Sequence, residues 1–201
     1  KVQAFKESSF DEMMRAGRYF GFHTKVVLRK DGTAGIQTAD GKNMIPAFTD
    51  RTNTADIKVY VHGGECWMER DLVPRNNEMI DSWKILLPNA GNPGSTIIGK
   101  PVVSEPGSCS SNTYAVVLFD EKNNNRETAY NCLRYIHSKF FRFLVSIKTF
   151  TQQMAPAAYS FVPIQDFSKP CTDEELYEKY GLSQEESDYI EQTIKPMNNE
   201  N

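Results

Sequence analysis

Cysteine is scarce and scattered: the 201-residue chain has four, Cys66, Cys109, Cys132 and Cys171. None forms a C-x-x-C pair. A structural zinc site needs closely spaced ligands, so free thiols of a reducing compartment are expected and no metal is. No apolar run approaches the length of a membrane span, which removes the membrane from the expected partners. The first residues, Lys1-Val-Gln-Ala-Phe-Lys-Glu, are mixed and polar and do not read as a signal peptide. A chain starting at Lys1 without Met reads as a piece of a longer protein or as one trimmed of a disordered end.

Catalytic signatures are missing too. There is no Gly-x-x-x-x-Gly-Lys phosphate loop. Residues Ser108 to Ser111 invite a hydrolase reading, but no Gly-x-Ser-x-Gly elbow surrounds them. Asn92-Pro93-Gly94 lacks the second Pro and the aromatic of an adenine-methylase strand end, and there is no cofactor loop. Asp120-Glu121-Lys122 lacks the spacer of a nuclease Glu-x-Lys. His137-Ser138-Lys139 is half a phospholipase-type nuclease signature, with Leu144 where an Asp belongs. Neither His23 nor His62 has neighbouring ligands or a nucleophile. No catalytic residue, metal ligand or bound cofactor is therefore assigned, and these residues alone are read as non-enzymatic.

What the chain does have is a globular composition, 39% hydrophobic and 11% aromatic, enough for a real core without staples. The net charge is −3, unevenly spread. Residues 171–201 hold nine acidic and two basic side chains, a net −7, which leaves +4 for residues 1–170. A basic working surface can therefore coexist with an acidic end.

Ser8 or Ser9 can cap a short helix over residues 10–15, ended by Gly17. Residues 24–30 read as a strand, Asp31-Gly32 as a hairpin turn and residues 33–38 as the returning strand, with a second turn at Asp40-Gly41. Ile57 to Val61 alternates as a strand should, and Gly63-Gly64 breaks it. Residues 79–87 predict another strand, residues 89–112 a long polar loop, and residues 113–119 a central strand. From Asn124 to Phe150, apolar residues at Tyr130, Leu133, Ile136, Phe140, Phe143, Leu144 and Ile147 predict one long helix rich in Arg and Lys. Tyr159 to Pro163 reads as a short strand. Thr172-x-x-Glu175 and Ser183-x-x-Glu186 are capping boxes, so helices over 173–180 and 184–194 are expected, with Gly181 between them.

The fold class is α+β: a strand-rich N-terminal two-thirds with a long helix and two short C-terminal helices. The expected organisation is a recognition domain over 1–170, a helical extension over 171–196 packed on it, and a frayed tail at 197–201.

Particular strings add a resemblance. Ser9-Phe-Asp-Glu-Met-Met-Arg-Ala-Gly-Arg-Tyr-Phe-Gly-Phe22, Trp83-Lys-Ile-Leu-Leu-Pro88, Gly99-Lys-Pro through Thr113-Tyr114, Lys139-Phe-Phe-Arg-Phe-Leu-Val145, and Val162-Pro-Ile-Gln-Asp-Phe167 leading to Thr172-Asp-Glu-Glu-Leu-Tyr177 follow in that order. Together they resemble the TaqI-like C-terminal specificity domain of bacterial adenine-specific restriction–modification methylases. Cys171 departs from the Trp more often found there. The resemblance implies a target-recognition module that binds double-stranded DNA in the cytoplasm and works beside an upstream methyltransferase domain. S-adenosylmethionine would belong to that upstream domain. The alternative is a protein-interaction module whose acidic helices dock a methylase or nuclease subunit.

Arg29, Lys30 and Lys42 flank the two hairpin turns and Lys100 precedes the hydroxyl-rich loop, so these four are the phosphate candidates. Ser110, Ser111, Asn112 and Thr113 can both donate and accept at short range and are the base-edge candidates.

Overall fold

A computed structural model describes residues 7–91, 96–149 and 151–197. Among these residues, ten strands and four α-helices form three layers. The strands are β1 (Met14–Arg15), β2 (Phe22–Leu28), β3 (Thr33–Thr38), β4 (Met44–Phe48), β5 (Ile57–Val61), β6 (Gly64–Met68), β7 (Lys84–Pro88), β8 (Val102–Ser104), β9 (Ser108–Ser110) and β10 (Tyr114–Leu118). The helices are α1 (Arg126–His137), α2 (Lys139–Lys148), α3 (Asp173–Lys179) and α4 (Gln184–Thr193).

A four-stranded antiparallel sheet, ordered β1-β10-β7-β8, forms the middle layer. Its alternation sends Ile85, Leu87, Ala115 and Val117 to the helices, and Leu86 and Val116 to the second sheet. Both faces are covered, so Ile85, Leu86 and Leu87 are all fully buried. That is why the 113–119 region reads as a continuous apolar run.

The second sheet is six-stranded, ordered β2-β3-β4-β6-β5-β9, antiparallel except for the parallel β5–β9 pair. One face is packed and carries Ala34, Ile36, Ala47, Ile57, Val59, Val61, Cys66 and Met68. The other faces outward. Gly63, at a φ of +76°, makes the tight β5–β6 turn, so the Gly-Gly pair joins two strands where the sequence suggested an end.

The expected long helix is two. Ser138 takes φ −60° and ψ 150°, ends α1 and starts α2. Its hydroxyl accepts from Phe141 N at 3.1 Å and donates to Tyr135 O at 2.7 Å. Asp173, at the start of α3, accepts from Lys139 N at 3.0 Å and Phe140 N at 2.8 Å. All three leading amides of α2 thus find acceptors, two of them from across the fold. The break changes which residues are buried: α1 buries Ala129, Cys132, Tyr135 and Ile136, while Tyr130 stays exposed.

Arg142 of α2 is also buried, although it reads as part of a basic face. Its guanidinium donates to the carbonyls of His137, Ser138, Thr96 and Lys195. It ties the end of α1 to the segment following α4.

Smaller corrections follow the same logic. Residues 10–13 form a 3-10 turn that runs straight into β1. Residues 77–79 are a 3-10 turn before β7. The expected strand near Tyr159 is a 3-10 turn, Pro156–Tyr159, with a single bridge between Ser9 and Pro163. The expected loop over 89–112 contains β8 and β9. Both capping boxes form, and Gly181 adopts a φ of +64°. Leu176, Tyr177, Ile190 and Ile194 enter the same core cluster as α1 and α2. Residues 198–201 of the expected frayed tail and Asn92-Pro93-Gly94 lie outside the described residues. No helix among the described residues is long and apolar enough to cross a membrane.

Candidate nucleic-acid interface

The eight candidates do not converge. Arg29 and Lys30 are exposed on the β2–β3 turn and Lys42 on the β3–β4 turn. These turns lie at opposite ends of β3, about 20 Å apart for six residues of strand. Lys100 is exposed just ahead of β8, in the other sheet.

Ser110 and Ser111 are buried, at 2% and 1% exposure. That withdraws them from any duplex lying on the surface. The Ser111 hydroxyl donates to Thr113 Oγ1 at 3.0 Å, and its amide to Tyr60 O at 2.9 Å. The Asn112 carbonyl accepts from Asn89 Nδ2 at 2.7 Å, and the Thr113 carbonyl from Asn89 N at 2.9 Å. A Cβ on Gly17 would come within 2.0 Å of Asn112 Oδ1. Residues 110–113 are therefore a knot that joins β9 to β10 and seats the chain after β1. Their polarity serves the crossing between sheets.

A different set of residues does converge, on the outer face of the six-stranded sheet. Facing partners run Thr33 to Phe48, Phe48 to Trp67 and Trp67 to Lys58, across β3, β4, β6 and β5. Three strand spacings make this row about 14 Å wide. Paired residues project on the same side, so the row is a single surface. Cations sit along it. Arg29 reaches Thr33 Oγ1 at 3.4 Å. The Arg51 guanidinium lies 5.7 Å from the Trp67 ring centre, and Lys58 Nζ 5.3 Å from it and 5.7 Å from the Tyr60 ring. At such distances a cation is attracted by the ring face.

Beside the row is a cavity of about 470 Å³ walled by Arg51, Lys58, Trp67, Arg70, Glu105 and Gly107. Carboxylates are interleaved. Arg70 pairs with Asp81 at 2.6 Å and Lys58 with Glu65 at 3.2 Å. No carboxylate lies within ion-pair distance of Arg51 among the described residues. Burial pushes the Tyr60 phenol up to about 12, with the Glu65 charge adding to it, so Tyr60 stays a neutral hydroxyl on an aromatic ring.

No family model, curated protein or solved structure matches the chain.

Lys58 and Tyr60 had a legible signal: in an alternating strand whose Ile57, Val59 and Val61 point inward, they must point outward. Phe48, Arg51 and Trp67 had none, because neither β4 nor β6 was expected as a strand. The thiols carry no chemistry of this site. Burial pushes Cys66 up to about 12 and raises Cys109 and Cys132 as well, so all three are protonated packing groups.

Proposed function

We propose that this chain is a recognition module for double-stranded DNA, the specificity region of an adenine-specific restriction–modification methylase of the bacterial cytoplasm. In this reading it performs no chemistry itself. It holds the duplex for an upstream methyltransferase domain, where S-adenosylmethionine and the flipped adenine belong.

The observation that carries the reading is the row of cations and aromatic rings across the outer face of the six-stranded sheet. Arg29 places positive charge 3.4 Å from the Thr33 hydroxyl, and Arg51 and Lys58 place it 5.7 and 5.3 Å from the Trp67 ring centre. Phosphate contacts position a duplex, while rings and short polar groups meet sugars and base edges. The acidic helices α3 and α4 lie on the opposite side of the four-stranded sheet, where their charge is kept away from this face.

Titrating the chain with a pool of short duplexes at several salt concentrations tests this. Three phosphate contacts give a slope of log K against log salt of about −2.7. Arg51→Ala lowers that slope by about one unit, evenly across sequences. Trp67→Ala weakens binding with the slope preserved. Salt-independent binding, or an Arg51→Ala chain indistinguishable from the parent, rules out this face.

A further inference from the structure

The far side of the molecule carries a second surface, independent of DNA binding. Between α2 and α4 runs a groove of about 410 Å³ lined by Phe140, Phe143, Leu144, Leu182, Tyr189 and Ile190, with Glu185 and Glu186 at its rim. Phe143 and Tyr189 meet edge to face at 6.0 Å across it. Tyr189 is 60% exposed, and Ile147, one turn beyond Phe143, is 41% exposed. Side chains this apolar are costly to leave in water in a group.

Charge selects what covers them. Leu182 to Glu191 holds Glu185, Glu186, Asp188 and Glu191, all exposed, and no Lys or Arg. Lys139 faces this stretch from α2 and is paired to Glu191. A second copy of this chain, seated on the same face, would bring its own Glu185 and Glu186 against these. An acidic or neutral segment would leave the rim without partners. We infer that the α2–α4 groove docks a basic amphipathic helix of a partner protein, with apolar residues in the groove and Lys or Arg beside Glu185 and Glu186. This is the helix-in-groove mode, in which anchors at i, i+3, i+4 and i+7 fill an apolar cleft.

The probes are three synthetic helices of about four turns. One has Leu at the anchor positions flanked by Lys, one has the same Leu pattern flanked by Glu, and one is a scramble of the first. Binding to the intact chain is read by calorimetry and by chemical-shift changes of the Leu144, Leu182 and Ile190 methyl groups. The Lys-flanked helix binds and shifts these methyls, and the other two do not. Tyr189→Ala, at an exposed position that leaves the core intact, weakens it about tenfold. Glu185→Lys with Glu186→Lys reverses the preference between the Lys-flanked and Glu-flanked helices. The inference is overturned if no probe shifts the groove methyls, or if the charge-reversed chain keeps its preference. It is equally overturned if the chain alone sediments as a dimer that Tyr189→Glu disperses, because the occupant is then a second copy. None of these readouts involves DNA, so either proposal can fail without the other.

Discussion

Lys84 opens β7 with its side chain fully buried between the two sheets. Its ammonium donates to the carbonyls of Met79 at 3.0 Å, Ile80 at 3.1 Å and Ser82 at 2.6 Å. No carboxylate is paired with it among the described residues. Burial disfavours the charged form and pulls the group down from 10.5 to about 8. The fall from 10.5 to about 8 corresponds to about 3 kcal/mol. Between these two values the unfolded chain binds more protons at Lys84 than the folded one. Stability from this group is therefore fully present above pH 10.5 and is lost as the pH falls through about 8. Tyr60 and Cys66, both pushed up to about 12, act in the opposite sense over the alkaline range.

Comparing the parent with Lys84→Met cancels the contribution of those other groups. At neutral pH the two differ little, because relief of a buried charge offsets the lost hydrogen bonds. Ile80 O keeps its bonds from Gly107 N and Ser108 N, which limits the loss. As the pH rises from 8 to 10.5, the parent gains on the variant by up to about 3 kcal/mol. Urea unfolding of both chains at intervals across this range measures the difference. A difference that stays flat with pH would refute the claim that Lys84 is held in a site hostile to its charge.

Arg142→Met strips the side-chain donor from four carbonyls, of which Ser138 O keeps the bond from the residue-142 amide, and is expected to cost on the order of 3 kcal/mol in denaturant unfolding. Arg142→Lys does not restore it, since a single ammonium cannot span the carbonyls of Thr96, Ser138 and Lys195, and amide exchange over residues 184–195 should quicken in both variants. Asp173→Ala removes the cap on the first turn of α2 and lowers stability by about 1–2 kcal/mol, with Asp173→Asn losing less; thermal melts of the two variants compare them.

Features that depend on neighbours along the chain could be read from residue order alone. The capping boxes at Thr172 and Ser183 and the left-handed Gly181 set α3 and α4 to within a residue, because each cap is satisfied within four positions of itself. The α+β class and the β2–β3 hairpin at Asp31-Gly32 were legible for the same reason. Tertiary structure decided what depended on distant partners. A single apolar stripe ran through Ser138, and the break there, capped by the Ser138 hydroxyl, is completed by Asp173 from another helix. Arg142 and Lys84 look like surface cations until distant or buried carbonyls are brought to them. The polar run at residues 110–113 resembles a recognition loop, but strand β5, Asn89 and Gly17 close around it. The row from Thr33 through Phe48 and Trp67 to Lys58 exists only through sheet register. Its four residues come from four strands, and a cross-strand neighbour leaves no mark on the local sequence.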